Sequence, residues 1–114
     1  MPSEIPVLDQ VFQALANPTR REVVARLGRG PAPMTELAKP FKMALPSFLQ
    51  HLQVLEKCGL VKSKKEGRVR TFELIVEPFE EAENWMTNHR RQWETRLDQL
   101  DAFLAIQKEK TNDT

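Results

Sequence analysis

Apolar residues recur at helical spacing in the middle of the chain. Within residues 45–57, Phe48, Leu52 and Leu55 are separated by four and three positions, so they share one face of a helix. Pro46 fits the first turn of that helix, where a backbone N–H is not needed. The pattern therefore predicts a helix that buries one side against the rest of the protein.

The opposite side of this predicted helix is polar. It carries Pro46, Ser47, Gln50, Gln53 and Lys57. On this side of the helix no acidic residue precedes Glu56. Gly59 fits the left-handed position just after a helix end. Hydrogen-bonding and cationic side chains of this kind can contact base edges and phosphates. An ordinary surface helix would show the same pattern, so the neighbouring segments decide between the two.

Two short helices are predicted at the start of the chain. The first is amphipathic, ends near Ala16 and contains the apolar residues Val7, Leu8, Val11, Phe12 and Leu15. Asn17 and Pro18 fit the N-cap and the first turn of the second helix. The residues of the second helix that face inward are Val23, Val24 and Leu27.

A third short helix, over residues 34–41, precedes the polar-faced helix. Leu37 and Phe41 face inward in it, and Pro40 ends or distorts it. Residues 42–44 then form a turn. Two helices joined by a tight turn in this way are typical of a helix-turn-helix.

After Gly59 the apolar pattern changes to a period of two. Residues 61–65 and 69–76 are predicted strands, and Glu66 and Gly67 form the hairpin turn between them. The side of the second strand that faces the core holds Phe72, Leu74 and Val76. The tip of the hairpin is basic, with Lys64, Lys65, Arg68 and Arg70. A hairpin this short is stable only when it packs against helices. It is therefore predicted to form a wing on the helical part of the protein, with a basic tip.

A long helix is predicted from Glu77 and Pro78 to about Gln107. Its apolar stripe follows steps of three and four through Phe79, Ala82, Met86, His89, Trp93, Leu97, Leu100 and Leu104, with Trp85 and Phe103 alongside. The stripe is wider than so small a domain needs for its own core, so part of it is predicted to meet a second copy of the chain. The predicted dimer interface comprises Leu8, Val11, Phe12, Trp85, Met86, His89, Trp93, Leu97, Leu100 and Leu104.

Length and charge support this organisation. The 114 residues fit one domain, a mainly α winged helix-turn-helix over residues 1–107 with N- and C-terminal dimerisation helices and a small β-hairpin wing. The C-terminal helix spans about 78–107, and residues 108–114 are predicted to be a disordered polar tail. Residues 20–70 contain 12 Lys and Arg against 4 Asp and Glu, whereas residues 71–114 contain 5 against 10. A basic middle beside an acidic end suits a module that binds a polyanion.

Several classes of protein are disfavoured. One cysteine cannot form an internal disulfide and fits the reducing cytoplasm. No signal peptide is evident, and no apolar run approaches the roughly 20 residues that span a bilayer. No Gly-rich phosphate loop or nucleophile–base pair is present and tyrosine is absent, so an enzyme is not expected and no cofactor is predicted.

Four stretches together resemble the ArsR family of bacterial winged-helix repressors. They are residues 14–21 (ALANPTRR), 35–38 (TELA), 50–61 (QHLQVLEKCGLV) and 66–68 (EGR). The resemblance covers about residues 7–104. It implies a homodimer that binds a palindromic operator in double-stranded DNA and represses transcription, often of its own operon.

The sequence departs from the metal-sensing branches of that family. Some members carry a Cys-x-Cys motif in the helix before the recognition helix, where this chain has residues 36–39 (ELAK). Others place Asp and His pairs on the last helix, where this chain has only His89. With His51, His89 and Cys58 as the only soft ligands, a closed zinc site within one chain lacks donors. The final segment resembles the branch of the family that lacks metal sites, through Trp85, Arg90, Arg91, Trp93 and Leu97. No metal site is therefore expected here.

Particular side chains are predicted to contact DNA. They are Arg20, Arg21, Lys42, Pro46, Ser47, Leu49, Gln50, His51, Gln53, Lys64, Lys65, Arg68 and Arg70. Ser47 and Gln50 are the base-contact candidates, because glutamine can pair with adenine and serine can donate or accept. Leu49 fits a thymine methyl or core packing, and His51 fits a backbone group or a phosphate. Among the basic residues the two wing arginines are favoured, since a wing tip reaches the adjacent groove.

Two alternatives stay open. Cys58, at the end of the recognition helix, is predicted to be a small buried residue, and its alternative role is a redox switch. Trp85 and Trp93 are predicted to pack in the core or the dimer, and their alternative role is to line an effector pocket. One rival function is therefore a ligand- or thiol-responsive regulator of the same fold. The other is a winged helix that binds a partner protein.

Overall fold

The chain divides into two compact units, Met1–Ala82 and Glu83–Thr114. The computed structural model describes residues 6–112. Its elements are α1 (Val7–Leu15), α2 (Pro18–Leu27), β1 (Ala32–Pro33), α3 (Met34–Ala38), α4 (Leu45–Lys57), β2 (Val61–Glu66), β3 (Val69–Leu74) and α5 (Glu77–Asn112). The predicted winged helix-turn-helix with a long C-terminal helix is confirmed.

Helix ends lie where their capping residues predict them. Asn17 caps α2 by accepting a hydrogen bond from the backbone N–H of Arg20 at 3.2 Å, and Pro18 occupies the first turn. Pro46 occupies the first turn of α4 in the same way. Gly59, which follows α4, has a φ of 78°, the left-handed conformation that lets the chain leave the helix toward β2.

Replacement of Gly59 by alanine should lower the free energy of unfolding by about 1–2 kcal/mol, because a Cβ opposes the left-handed conformation. Apart from its chain neighbours, no atom lies within 4 Å of the position that this Cβ would occupy, so the cost is conformational. Urea unfolding followed by circular dichroism measures it. Gly59→Asn is the matched control, since asparagine tolerates this conformation better, and it should lie between the wild type and Gly59→Ala. Equal stability of Gly59→Ala and the wild type would contradict the assignment.

The wing sheet has three antiparallel strands, one more than predicted. Their order is β1-β3-β2, with Ala32 opposite Phe72 and Pro33 opposite Thr71. β1 escapes prediction because two residues, one of them a proline, carry no alternation from which a strand can be identified. The sheet links the segment before α3 to the wing.

The hairpin loop lies one residue later than predicted. Glu66 pairs with Val69, so the two loop residues are Gly67 and Arg68. Gly67 has a φ of 64°, and glycine at the first position of a two-residue loop suits a tight hairpin. Arg68 is therefore held at the tip of the wing.

One apolar core joins the helices and the sheet of the first unit. Its buried members among the described residues are Val11, Ala14, Val23, Leu27, Ala32, Leu37, Phe48, Leu52, Leu55, Cys58, Leu60, Val61, Phe72 and Ala82. Val24, Phe41 and Leu74 pack against this core while partly exposed, in agreement with their predicted inward orientation. The core holds α4 by its apolar side and so fixes which side remains outside.

Two predictions of burial are wrong. Val11, predicted at the dimer interface, is only 1% exposed and belongs to the core, because α1 packs against α2 and buries this position. Val76, predicted to face the core, is 51% exposed. The reason is that β3 ends at Leu74, so the alternation of sides along the strand no longer applies two residues later.

α5 continues to Asn112, past its predicted end near residue 107. Residues 107–110 are good helix formers and no glycine or proline interrupts them, so the predicted disordered tail is helical as far as Asn112. Residues 113–114 of that tail lie outside the described residues. Across residues 6–112, no helix has both the length and the apolar character needed to cross a membrane.

Candidate nucleic-acid interface

The two sides of α4 have opposite environments. Phe48, Leu52 and Leu55 are each at most 1% exposed and lie in the core. The residues on the exposed side are Pro46, Ser47, Gln50, Gln53, Glu56 and Lys57. The predicted separation of an anchored apolar side from an exposed polar side is confirmed, and contact of that polar side with DNA stays a prediction.

Leu49 lies at the edge between these two sides. It is partly buried and packs against the core. It also lines an open groove of about 630 Å³ between α4 and the wing. The other residues of that groove are Leu52, Gln53, Glu56, Lys57, Arg70 and Phe72. Of the two interpretations offered for Leu49, the structure favours core packing.

The basic residues of the wing differ in whether they form ion pairs. Lys62 pairs with Glu73 at 3.3 Å and Lys64 pairs with Glu66 at 3.2 Å, and all four side chains are more than half exposed. Exposed pairs of this kind contribute little, so a phosphate can replace the carboxylate at small cost. Within residues 6–112, the remaining three cations of the hairpin, Lys65, Arg68 and Arg70, form no ion pair.

Arg70 is directed along the wing toward α4. Its Nη1 donates to Oγ of Ser63 at 2.8 Å, and that hydroxyl donates to Oε1 of Glu56 at 3.2 Å. This chain of two hydrogen bonds connects β3, β2 and the last turn of α4. Contact of Arg70 with phosphate stays a prediction, and in the free protein its hydrogen bonds connect the wing to α4.

Arg20 and Arg21 are both directed toward the C-terminal end of α1, Arg20 partly buried and Arg21 exposed. Arg20 donates to the carbonyl oxygens of Ala14 and Gln13, and Arg21 Nη1 donates to that of Leu15 at 2.7 Å. These carbonyls lie at the C-terminal end of α1, where the last carbonyl groups of a helix have no N–H donor within the helix. Both residues were predicted only as phosphate contacts, and this capping of α1 was missed. Their position just after a helix end is the signal that could have revealed it.

Two further candidates lie in the turn before α4 and within α4 itself. Lys42 is exposed in the turn between α3 and α4, where a cation is free to meet a phosphate. His51 is half-buried, and its Nδ1 lies 3.4 Å from Nη1 of Arg20. The structure thus gives His51 a contact with an arginine, and its contact with a backbone group or a phosphate stays a prediction.

The second unit exposes a large apolar surface along α5. Its exposed large apolar residues include Trp85, Met86, Trp93, Leu97, Leu100, Phe103, Leu104 and Ile106. His89 stacks on Trp85 with ring centroids 4.1 Å apart and meets Trp93 edge-on at 6.2 Å.

In α1, Phe12 is 42% exposed whereas Leu8 is partly buried against the core. Apart from Val11, the predicted interface residues therefore keep some surface available for a partner.

The three soft metal ligands of the chain are His51 in α4, Cys58 at the C-terminal end of α4 and His89 in α5. Cys58 is buried at the end of α4, as predicted for a small core residue. His51 contacts Arg20, and His89 Nδ1 donates to the carbonyl oxygen of Trp85 at 2.9 Å. In the described part of the chain, no three His, Cys, Asp or Glu side chains are grouped as a metal site would need.

Comparisons with known proteins agree with this geometry. A family model described as a helix-turn-helix domain matches residues 15–64. The chain is 41% identical over 66 residues to the HTH-type transcriptional regulator Rv2034 of Mycobacterium tuberculosis. This match covers 58% of this chain and 62% of that protein, so the chain spans less than two thirds of the length of that relative. It is 27% identical over 81 residues to the transcriptional repressor SdpR of Bacillus subtilis, and this match covers 71% of this chain and 90% of that protein.

A solved structure extends the likeness over more of the chain. The crystal structure of the ArsR family transcriptional regulator RHA00566 superimposes with a TM-score of 0.74 at 52% sequence identity. The match covers 78% of this chain and 98% of that one. Identity at this level over nearly the whole of a relative's length, on the fold described above, shows common descent. The chain belongs to the ArsR family of transcriptional regulators, a family without enzymatic activity.

Proposed function

We propose that the chain is a sequence-specific DNA-binding repressor, which acts as a homodimer on a palindromic operator of its own or a neighbouring operon. The observation that carries the proposal is the exposure of Ser47 and Gln50 on α4, whose opposite side is anchored in the core. A helix held in this way can enter a major groove with its polar side toward the base edges. Because the proposed partner is chromosomal DNA, we infer a cytoplasmic location.

The dimer is inferred from the exposed apolar residues of α5. Trp93, Leu97 and Leu104 are each more than half exposed in the single chain, a state that is unfavourable for large apolar side chains in water. A second copy related by a two-fold axis would cover the same residues on both chains. Two recognition helices related in this way would meet half-sites about 34–36 Å apart, or a multiple of that distance.

We further infer that the protein belongs to the branch of the family without metal sites. α3 carries no thiol where the metal-sensing members have two. The cysteine at the end of α4 is buried, and each histidine already has a hydrogen-bonding partner. Zinc would have to displace these contacts and would still lack a fourth donor from the same chain.

The second candidate function is a winged helix that binds another protein through α5. The exposed apolar side of α5 favours it, since such a surface could meet a different chain as readily as a second copy. The excess of eight positive charges in residues 20–70 supports DNA. Footprinting of the DNA upstream of its own gene separates the two. A protected palindrome supports the repressor, and no saturable duplex binding at physiological salt supports the alternative.

Gln50→Ala and Arg68→Ala should weaken DNA binding in different ways. Loss of a bidentate base contact should cost Gln50→Ala about 1–3 kcal/mol on the operator and relax the preference at particular base pairs. Arg68 at the wing tip is expected to contact phosphate, so Arg68→Ala should weaken all sequences alike and lower the salt slope by about 0.9. Fluorescence titrations of operator and scrambled duplexes over a salt series measure both effects.

Lys65→Ala is the matched control for the wing, since it removes an exposed, unpaired cation from the strand beside the tip. It should behave like Arg68→Ala, with an equal loss on both duplexes. If Gln50→Ala and Arg68→Ala change the ratio of operator to scrambled affinity equally, the assignment of α4 to bases and of the wing to phosphates is wrong.

A further inference from the structure

Arg20 joins three helices through one guanidinium group. It lies in the first turn of α2 and is partly buried. Its Nε donates to the carbonyl oxygen of Ala14 at 2.7 Å and its Nη2 to that of Gln13 at 3.1 Å, both near the end of α1. Its Nη1 lies 3.4 Å from Nδ1 of His51 on α4. The planar fork of arginine allows these contacts at once, which the single ammonium of a lysine could not reproduce.

The contact with Arg20 determines which nitrogen of the His51 ring carries the proton. A guanidinium has only donors, so a hydrogen bond to Nδ1 requires that this nitrogen be an acceptor. In a neutral ring the proton then resides on Nε2. His51 therefore offers an N–H donor across the ring from Arg20, one turn of α4 beyond Ser47 and next to Gln50.

We propose that Arg20 is a positioning residue for DNA recognition, which holds the His51 ring and its proton so that Nε2 donates to a phosphate of the operator. The inference rests on the proposed function, because the operator supplies the phosphate. A direct contact of Arg20 with phosphate would instead require its guanidinium to leave the carbonyls at the end of α1. Since the same group binds both helices, the position of His51 is fixed relative to α1.

The Arg20–His51 contact is tested without DNA. Two-bond ¹H–¹⁵N correlation spectra of the full chain, recorded at about pH 8 where histidine is ordinarily neutral, identify the protonated ring nitrogen. We expect the Nε2–H form for His51, and a shift of its Nδ1 resonance in Arg20→Lys but not in the control Arg21→Lys. His89, whose Nδ1 donates to the carbonyl of Trp85, supplies the opposite pattern as an internal reference. A proton on Nδ1 of His51, or a spectrum unchanged in Arg20→Lys, overturns the proposal.

The role in DNA binding is tested by a double-mutant cycle. His51→Gln keeps a donor near the position of Nε2 and should retain most of the operator affinity, whereas His51→Asn lacks it and should lose about tenfold, the effect of one hydrogen bond to a charged group. Arg20→Lys keeps the positive charge and should still lose about tenfold, with an unchanged salt slope. Combined with His51→Asn, it should add no further loss, because both changes act through the same hydrogen bond between His51 Nε2 and phosphate.

The opposite results identify what has failed. Full affinity of Arg20→Lys, or losses that add in the double variant, would mean that Arg20 acts as a simple cation and would overturn its positioning role alone. A wild type that binds no duplex saturably would overturn the proposed function and this role with it, while the spectra would still report the Arg20–His51 contact. Should Arg20→Lys fail to fold, the wild-type spectrum and the two His51 variants decide the question.

Discussion

Replacement of Leu97 by aspartate should convert the protein to a monomer and weaken operator binding by about 100-fold or more. Leu97 is 59% exposed in the single chain and lies in the apolar row of α5 with Trp93 and Leu104. If this row forms the dimer interface, an aspartate there would have to be buried without a partner, at a cost of several kcal/mol. A monomer binds one half-site at a time and loses the gain of 10²–10⁴ that a linked second site provides.

Sedimentation velocity measures the change in mass, and a titration of the operator duplex measures the change in affinity. Gln99→Asp is the matched control, because it adds the same charge to an exposed, polar position of the same helix two residues away. It should remain dimeric and bind as the wild type does. A dimeric Leu97→Asp with wild-type affinity would place the interface elsewhere and would leave the apolar side of α5 for another protein.

Replacement of Phe48 by alanine should lower the free energy of unfolding by about 3–5 kcal/mol. Phe48 is 1% exposed, and its ring centroid lies 5.3 Å from that of Phe41 at an interplanar angle of 33°. The change removes the largest side chain that α4 buries and leaves a cavity beneath this helix. Since small domains are stable by only about 5–15 kcal/mol, this loss should also reduce the fraction of folded, DNA-binding protein.

Urea titration followed by circular dichroism measures this effect, at one fixed protein concentration because a dimer gains stability by mass action. The matched control is Leu45→Ala in the first turn of the same helix, where the side chain is 48% exposed. Its cost should be about 0.5 kcal/mol, as for most surface positions. Similar losses in the two variants would mean that α4 is not anchored by one apolar side.

The elements with strong periodicity could be predicted from sequence. The spacing of Phe48, Leu52 and Leu55 fixes both the helical nature of α4 and the side that it buries, and the structure agrees at each of these positions. Proline marks the start of α4 because its fixed φ and missing N–H suit the first turn of a helix. Glycine marks its end because glycine readily adopts the left-handed φ found at Gly59. Local chemistry was sufficient for these elements.

Features that depend on distant contacts could not be predicted. The two residues of β1 become a strand only because β3 supplies hydrogen bonds from far along the chain. The inward direction of Arg20 depends on the carbonyls at the end of α1 and on His51, which lies 31 positions away. Val11 shares a helix side with candidate interface residues, and only the packing of α1 against α2 assigns it to the core.

The strand order of the wing has a further consequence for the protein's solubility. β3 is paired on both sides, so β1 and β2 form the two open edges of the sheet. β1 offers only two residues, one of them Pro33, which has no N–H to donate. β2 is longer but carries Lys62, Lys64 and Lys65, whose charges repel another strand. Lys64 and Lys65, which are predicted to contact DNA, thus also disfavour edge-to-edge pairing of the free protein through β2.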